Sequence, residues 1–455
     1  TPVAVDFHEG VELMALVWRL LGDRPYSLNT YPDYCTSADH YFAPFKEHPV
    51  VAKALEAAQK EGIGYDAVAS FGLHLVISPE GHITFDNNLR KGSDVSFNRW
   101  SKSMCEEFLP LLQDFYQKSQ FHQWYLSTQP QRNKALAAFS SVVRQFDIRW
   151  YEQYFGPQPK GSQFSIVLSI LCGQNNYGCS AMMKNGAARV TPVISCCQAD
   201  REGNPHYASD RVLPIIVHEF CHPYCNPLDA KHWKKMETNA KAVFELHKEE
   251  LSRMAYPDAK IMLDESFVRA CVIRYQLNHD SLANKDVLVS EPQRMGFLLV
   301  PDLVMALNRY EHQRDKYATM ADYMPEVVKE VNLYDAEIVR RQMEEEASKQ
   351  ATYTCNIQDG ASDVPSGEYA IVITFSKPMQ GGVSLGFGRG DGKFPALGRG
   401  KASVSWDESM TVQTIFVRLE PNTTYAFSIN GPNYKTADGH TAKAIQDITF
   451  TTQNK

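Results

Sequence analysis

Leu213-Pro-Ile-Ile-Val-His-Glu-Phe-Cys-His-Pro-Tyr-Cys-Asn-Pro227 is the stretch on which the reading of this chain turns. It writes HExxH as His218, Glu219 and His222 behind an apolar run. Residues four apart share one face of a helix, so two imidazoles at this spacing can converge on one metal ion. Glu219, one residue on, falls beside the metal, where it can take a proton from a bound water. A chain of this composition produces HExxH by chance about 0.03 times, so the pattern carries weight. Two satisfied core histidines, or a solvated helix face, would leave the intervening Glu and the apolar flank unexplained.

Pro223 follows the second histidine directly and removes a helical N–H. The helix is therefore expected to end or kink there, with His222 on its last turn. A catalytic zinc needs a third protein ligand and an open position. The extended metzincin pattern would place Gly at 225 and His at 228; the chain has Cys225 and Leu228, which excludes that subclass. Downstream, Ile261-Met-Leu-Asp-Glu-Ser-Phe-Val-Arg-Ala-Cys-Val-Ile-Arg-Tyr275 reads as a second helix. Glu265 lies in its apolar stripe with Ile261, Met262, Val268 and Val272. A carboxylate on a buried face must be paired or coordinate a metal. Glu265 is thus the expected third ligand, against an i,i+4 ion pair with Arg269. Asp264 and Asp229 are weaker substitutes. Cys221 and Cys225 interleave with the histidines and open a structural Cys2His2 alternative, which one regular helix cannot wrap around a tetrahedral ion. Small apolar packing, or a disulfide to another cysteine, is the plainer reading of both.

Composition bounds the rest. The chain has 455 residues, 44% of them apolar and 22% charged. That is ordinary globular usage, with a length prior of about three domains. Lys and Arg total 46 against 53 Asp and Glu, a formal charge of −7. Nucleic-acid binders carry a basic excess, so that partner class is disfavoured. The most apolar run, Gly296 to Leu307, is broken by Pro301 and Asp302 and is too short to span a bilayer. A soluble protein is expected. Ten cysteines, with no repeated CxxC pair, give neither a disulfide scaffold nor a zinc ribbon. A start at Thr1 without Met points to a removed signal peptide or a trimmed chain.

Helical spacing is read over Val5–Leu21, Pro49–Glu61 and Phe108–Phe121, and a hairpin over Leu73–Phe85 turning at Pro79-Glu80-Gly81. Phe164–Leu171 reads as a buried strand. Val190–Cys197 reads as an edge strand, because Pro192 cannot donate to a ladder. Such an edge beside the motif could align an extended peptide by strand addition, or be a plain sheet edge. From Ser209 to about Glu346 the pattern is mainly helical, ending in the charged run EIVRRQMEEEASKQ. Beyond it, TYTCNI, YAIVITF, ASVSW, TVQTIFVRL, TYAFSI and DITFTT are short β-rich runs between turn residues, the pattern of a sandwich. The domain boundary is placed at 347–353.

Three resemblances follow from these residues. HExxH with a Glu ligand on a separate helix resembles the gluzincin zinc peptidases. VELMALVWRLLG, HEFCHPYCNP and ESFVRACVIRY resemble an uncharacterised family of secreted bacterial proteins known only as a domain of unknown function, over roughly residues 1–345. Ile373-Thr-Phe-Ser-Lys-Pro-Met379, Asp438-Gly439 and Ile448-Thr-Phe-Thr-Thr452 resemble bacterial immunoglobulin-like domains, which act as accessory or spacer modules. The expected fold is α+β: a zincin-like, mainly helical catalytic region with a small mixed sheet over 1–346, in one lobe or two, then an immunoglobulin-like sandwich over 352–455. The resemblance maps His218, His222 and Glu265 to metal ligands and Glu219 to the general base. Tyr177, Arg269 and Tyr275 are candidate oxyanion or supporting residues. Zinc is the expected cofactor, a peptide or protein the expected substrate, and a secreted, periplasmic or cell-surface location the expected setting. The competing readings are an inactive zincin scaffold used for surface binding, against which retention of Glu219 argues, and a zinc amidohydrolase acting on a non-peptide amide.

Overall fold

The computed structural model describes residues 3–89, 99–158, 160–195, 197–397 and 403–454, so Cys196 lies outside the described residues. The protein is mixed α and β, close to half helical, with small sheets. It divides into two compact units, Thr1–Tyr334 and Asp335–Lys455.

The motif stretch forms one helix of 37 residues, Ser209–Glu245, hereafter the motif helix. It runs through Pro214, Pro223 and Pro227 without ending, contrary to the expectation that His222 would sit on a last turn. About six turns continue beyond His222. Packing explains the difference. An interior proline costs about 3 kcal/mol or more, but Val217, Phe220, Cys221 and Cys225 are fully buried around these positions. Burying a Val or Phe side chain returns roughly 1.5–3 kcal/mol. Two helices, Ala259–His279 (the partner helix) and Met320–Leu333, pack along it. The partner helix starts at Asp258, whose side chain caps the Ile261 N–H at 2.9 Å.

A five-stranded sheet lies in the same unit. Its central strand is β4 (Gln163–Leu168), which overlaps the expected run Phe164–Leu171 and is buried over Ile166–Leu168. β1 (Ala4–Phe7) pairs with it in parallel, Ala4 opposite Ser165 and Phe7 opposite Leu168. The expected helix over Val5–Leu21 therefore begins only at Glu9, after this strand, and stops at Gly22, whose φ of 83° provides the left-handed cap. β2 (Leu75–Ile77) and β3 (Ile83–Phe85) form the expected hairpin, and Pro49–Glu61 is helical as expected. The helix read at Phe108–Phe121 spans Lys102–Lys118. β5 (Ser180–Met182), β6 (Ala188–Val190) and β7 (Val193–Ile194) complete the sheet; β8 (Gln198–Ala199) and β9 (Pro205–His206) form a separate pair.

The segment carrying Pro192 is not an edge. β6 and β7 both pair in parallel with β4, and Pro192 sits in the gap between them, where its missing N–H leaves no ladder bond unmade. Its carbonyl still accepts the Val167 N–H at 3.0 Å. On the other side Tyr177 and Val193 exchange both backbone hydrogen bonds, at 2.9 and 2.8 Å, and β5 pairs antiparallel with β6. Among the described residues one edge of this sheet is thus the segment Tyr177–Met182, and the other is β1.

In the second unit the charged run is the helix Ala336–Lys349. Strands β10 (Tyr353–Cys355), β11 (Gly367–Phe375), β15 (Val412–Leu419) and β13 (Ala396–Leu397) make one sheet in that order, with β14 (Val404–Trp406) also on β15. β12 (Leu385–Phe387), β16 (Thr424–Asn430) and β17 (Ile445–Thr451) make a second. Alternate residues Ile371, Ile373, Ile415 and Val417 of the first sheet share a core with Phe427, Ile429, Ile448 and Phe450 of the second. The one fully buried glutamine of this core, Gln413, is satisfied by the Tyr434 hydroxyl at 2.7 Å.

Candidate metal centre

One face of the motif helix presents both histidines, with His218 Nε2 and His222 Nε2 3.1 Å apart. The partner helix brings Glu265 across them: Oε2 lies 3.4 Å from His218 Nε2 and Oε1 3.4 Å from His222 Nε2. The three donor atoms lie within 4.8 Å of one another, and among the described residues no other group of three His, Cys, Asp or Glu does so. Asn226 Oδ1 sits 3.2 Å from His222 Nδ1. An acceptor there holds the proton on Nδ1 and leaves the Nε2 lone pair toward the cluster. Burial works against the charge of Glu265, but the hydrogen bond and charge of His218, then His222 and Arg269, hold its carboxyl down at about 2.

The alternatives separate in space. Asp264 pairs with Lys260, and Asp229 is buried beside it with neither carboxylate oxygen hydrogen-bonded. Burial first, then the Asp264 charge, push the Asp229 acid well up. Cys221 and Cys225 are fully buried, and Cys225 Sγ lies 3.8 Å from Cys271 Sγ on the partner helix. They pack between the helices and do not join the histidines.

Glu219 faces the sheet edge. A Cβ built on Gly178 would fall on the Glu219 carboxylate, so only glycine leaves room for it. Burial above all, then the Glu265 charge, pushes the Glu219 carboxyl up to about 7 against the pull of His222 and Arg269. Two carboxylates in one site are thereby driven to opposite ends of the carboxyl range, the arrangement that separates a proton carrier from a fixed charge. Gly178 itself is exposed, between the paired Tyr177 and Cys179, whose carbonyl accepts the Thr191 N–H at 2.8 Å.

The supporting candidates fare differently. Arg269 lies in the cleft: its Nη2 is 3.5 Å from Glu265 Oε2 and donates to the Tyr256 hydroxyl at 3.0 Å. The ring of Tyr177 stacks on Tyr26 at 6.3 Å and its hydroxyl is buried without a partner. What Tyr177 contributes is the backbone pairing that fixes Gly178. Tyr275 is a core residue: its hydroxyl accepts the Asp147 N–H at 2.7 Å and its ring stacks on His279 at 4.0 Å. Its i+6 position from Arg269 turns it toward the Asp147 loop. Tyr256 was reached by no sequence pattern. Ala255 before it holds a φ of 67°, a strained left-handed conformation that sets the phenol against Arg269. Burial first, then the charges of Glu265 and Glu219, raise the pKa of this hydroxyl and keep it protonated, against the pull of Arg269.

A cleft of about 710 Å³ opens on His218 and Glu219, between the motif helix, the partner helix and the short helix Lys285–Arg294. Among the described residues no helix is long and apolar enough to cross a membrane.

The family model of a domain of unknown function, DUF4932, matches residues 29–330. Among solved structures, the chain is similar to the crystal structure of the S-layer protein rSbsC(31-844), with 14% identity over 76% of this chain and 41% of that one. The TM-score is 0.16, too low to carry an argument about the fold. No curated protein matches the chain.

Proposed function

Since the chain belongs to the DUF4932 family, a domain of unknown function, we propose from the site itself that its first unit is a zinc-dependent metallopeptidase. The observation that carries this reading is the convergence of His218 Nε2, His222 Nε2 and the Glu265 carboxylate from two helices, with Glu219 beside them. The donor set fits zinc: two imidazole nitrogens 3.1 Å apart face the half-buried Glu265 carboxylate, whose two oxygens each lie 3.4 Å from one of them. Zinc bound by these three residues would supply a Lewis acid and a water acidified to about pKa 7.

The chain's own residues do the rest. Glu219, with a carboxyl near 7, accepts the proton of the attacking water on a carboxylate oxygen and hands it to the leaving nitrogen. Tyr256 accepts from Arg269, so its own O–H is free to donate to the oxygen that gains charge. The exposed edge at Gly178 offers backbone groups on which an extended peptide can add as a strand, above Glu219. This moves the strand-addition role from the Pro192 segment to Tyr177–Met182.

The second unit is read as an immunoglobulin-like β-sandwich, an accessory module, supported by two antiparallel sheets closing on one core. A secreted, periplasmic or cell-surface location rests on the resemblance alone. The test is metal analysis of the purified chain with cleavage of a peptide library by wild type and Glu219→Ala. Stoichiometric zinc in both, with cleavage reduced at least ~100-fold in the variant, is expected. A chain that binds no zinc, or a variant that cleaves as fast as wild type, overturns the proposal.

A further inference from the structure

Arg269 is more than a neighbour of Glu265. It lines the cleft with His218 and Glu219, and its guanidinium is pinned on three sides. The Phe297 ring lies 4.4 Å from Cζ, and Nη2 is engaged by the Tyr256 hydroxyl at 3.0 Å and Glu265 at 3.5 Å. The other donors are unspent: Nε is buried without a partner, and no hydrogen bond among the described residues uses Nη1. A guanidinium has five N–H donors in a rigid fork, and leaving them unmade in a part-buried position costs free energy. The ligand that satisfies such an edge is a planar anion, above all a carboxylate.

The surroundings narrow the class. The remaining charged residues of the cleft, Asp210, Arg211 and Glu291, are exposed at its rim, so Arg269 is its inner cation. The walls beside it are apolar, from Ile215, Val272, Ile273, Leu288 and Met295. A ligand residue seated there meets hydrocarbon on its flanks and one fixed positive group at its end.

Resting on the peptidase reading, we infer that the cleft is selective for peptides bearing a free carboxylate within reach of Arg269, either the C-terminal carboxylate of an apolar residue or an acidic side chain. Arg269 binds that carboxylate through Nε and Nη1, while Phe297, Tyr256 and Glu265 hold the guanidinium in place. The same contact fixes how far the scissile bond lies from the chain end.

The experiment measures binding, so it does not depend on turnover. The full chain carrying Glu219→Gln, loaded with zinc, is titrated with N-terminally fluorescein-labelled peptides that differ only at the end: Leu with a free acid, Leu amide and Glu amide. The free-acid peptide is expected to bind at least about tenfold more tightly than Leu amide, some 1.4 kcal/mol. Arg269→Met brings the two together and Arg269→Lys restores part of the difference. A tighter Glu amide assigns the carboxylate to a side chain; a Glu amide no better than Leu amide assigns it to the chain end. Should Arg269→Met fail to fold, the acid-against-amide comparison with Arg269 intact still decides. Equal binding of all three peptides, or binding of none, overturns the inference. Failure of wild type to cleave any of them sinks the peptidase reading instead and leaves the measured carboxylate preference standing.

Discussion

Gly178 and Glu219 occupy one another's space: the carboxylate of Glu219 fills the position that a side chain at 178 would take. The φ of Gly178 is not in the left-handed region, so alanine can adopt its backbone. The atoms that must yield are the far end of a flexible side chain, and they yield by swinging Glu219 away. Gly178→Ala is therefore expected to unfold within about 1 kcal/mol of wild type. Its peptide cleavage should nevertheless fall about 100-fold, the scale of a one-ångström misplacement of a reacting group. Thermal unfolding and kcat/KM measured together check this; a variant that is destabilised yet fully active contradicts it.

The parts of this arrangement that were legible in the sequence are those governed by local periodicity. His218 and His222 share a face because they are four apart on a helix, and Glu265 was singled out because a carboxylate in an apolar stripe needs a partner. The hairpin at Pro79-Glu80-Gly81 and the β-rich runs after Thr352 follow from turn chemistry and alternation, and they form strands. What escaped depends on contacts distant in sequence. Pro223 should stop a helix, but burial of Phe220, Cys221 and Cys225 carries the helix past it. Pro192 marks a strand that cannot donate, yet a break in the ladder tolerates that loss inside a sheet as well as at its edge. Tyr256 meets Arg269 beside Ala255, whose φ of 67° is left-handed, and no spacing rule links the two.

Metal binding should be coupled to the fold through Glu265 and Asn226 in graded fashion. Zinc held by these residues would stabilise the native state by mass action, so chelation is expected to lower the melting temperature of wild type. Asn226→Ala frees the Nδ1 proton of His222 and should weaken zinc 10- to 100-fold, the usual loss for an outer partner of a ligand. Glu265→Gln removes the anionic donor and should weaken it further. The check is competition for zinc with a chromophoric chelator; the reverse order of the two variants speaks against Glu265 as the third ligand.

Tyr256→Phe tests the donor role of the phenol. The substitution keeps the ring against Phe297, 5.1 Å away, and removes only the hydroxyl that Arg269 engages. A hydrogen bond realised only as charge develops is lost from kcat, so a fall of about 10²-fold with KM nearly unchanged is expected. Zinc content should equal that of wild type. A rise in KM alone would show that Tyr256 serves binding instead.

Stability should depend on pH through His8, which precedes the first helix. Its Nδ1 is buried without a hydrogen-bond partner. Burial first, then the Arg189 charge, lowers its pKa from 6.5 to about 4, while Asp6 and Asp86 oppose the shift. In the unfolded chain the imidazole takes up a proton as the pH falls through about 6.5, whereas the folded protein keeps it neutral until about 4. The unfolded state therefore binds more protons across this window, and the stability present above it is lost as the pH falls from about 6.5 to 4. A shift of this size caps the loss at about 3 kcal/mol, reduced by whatever solvent reaches the ring. His8→Asn does not titrate in this range and suits the helix N-cap. Urea unfolding at pH 7.5, 5.5 and 4.5 should show the variant losing less stability on acidification than wild type, and parallel losses in the two proteins would remove His8 as the cause.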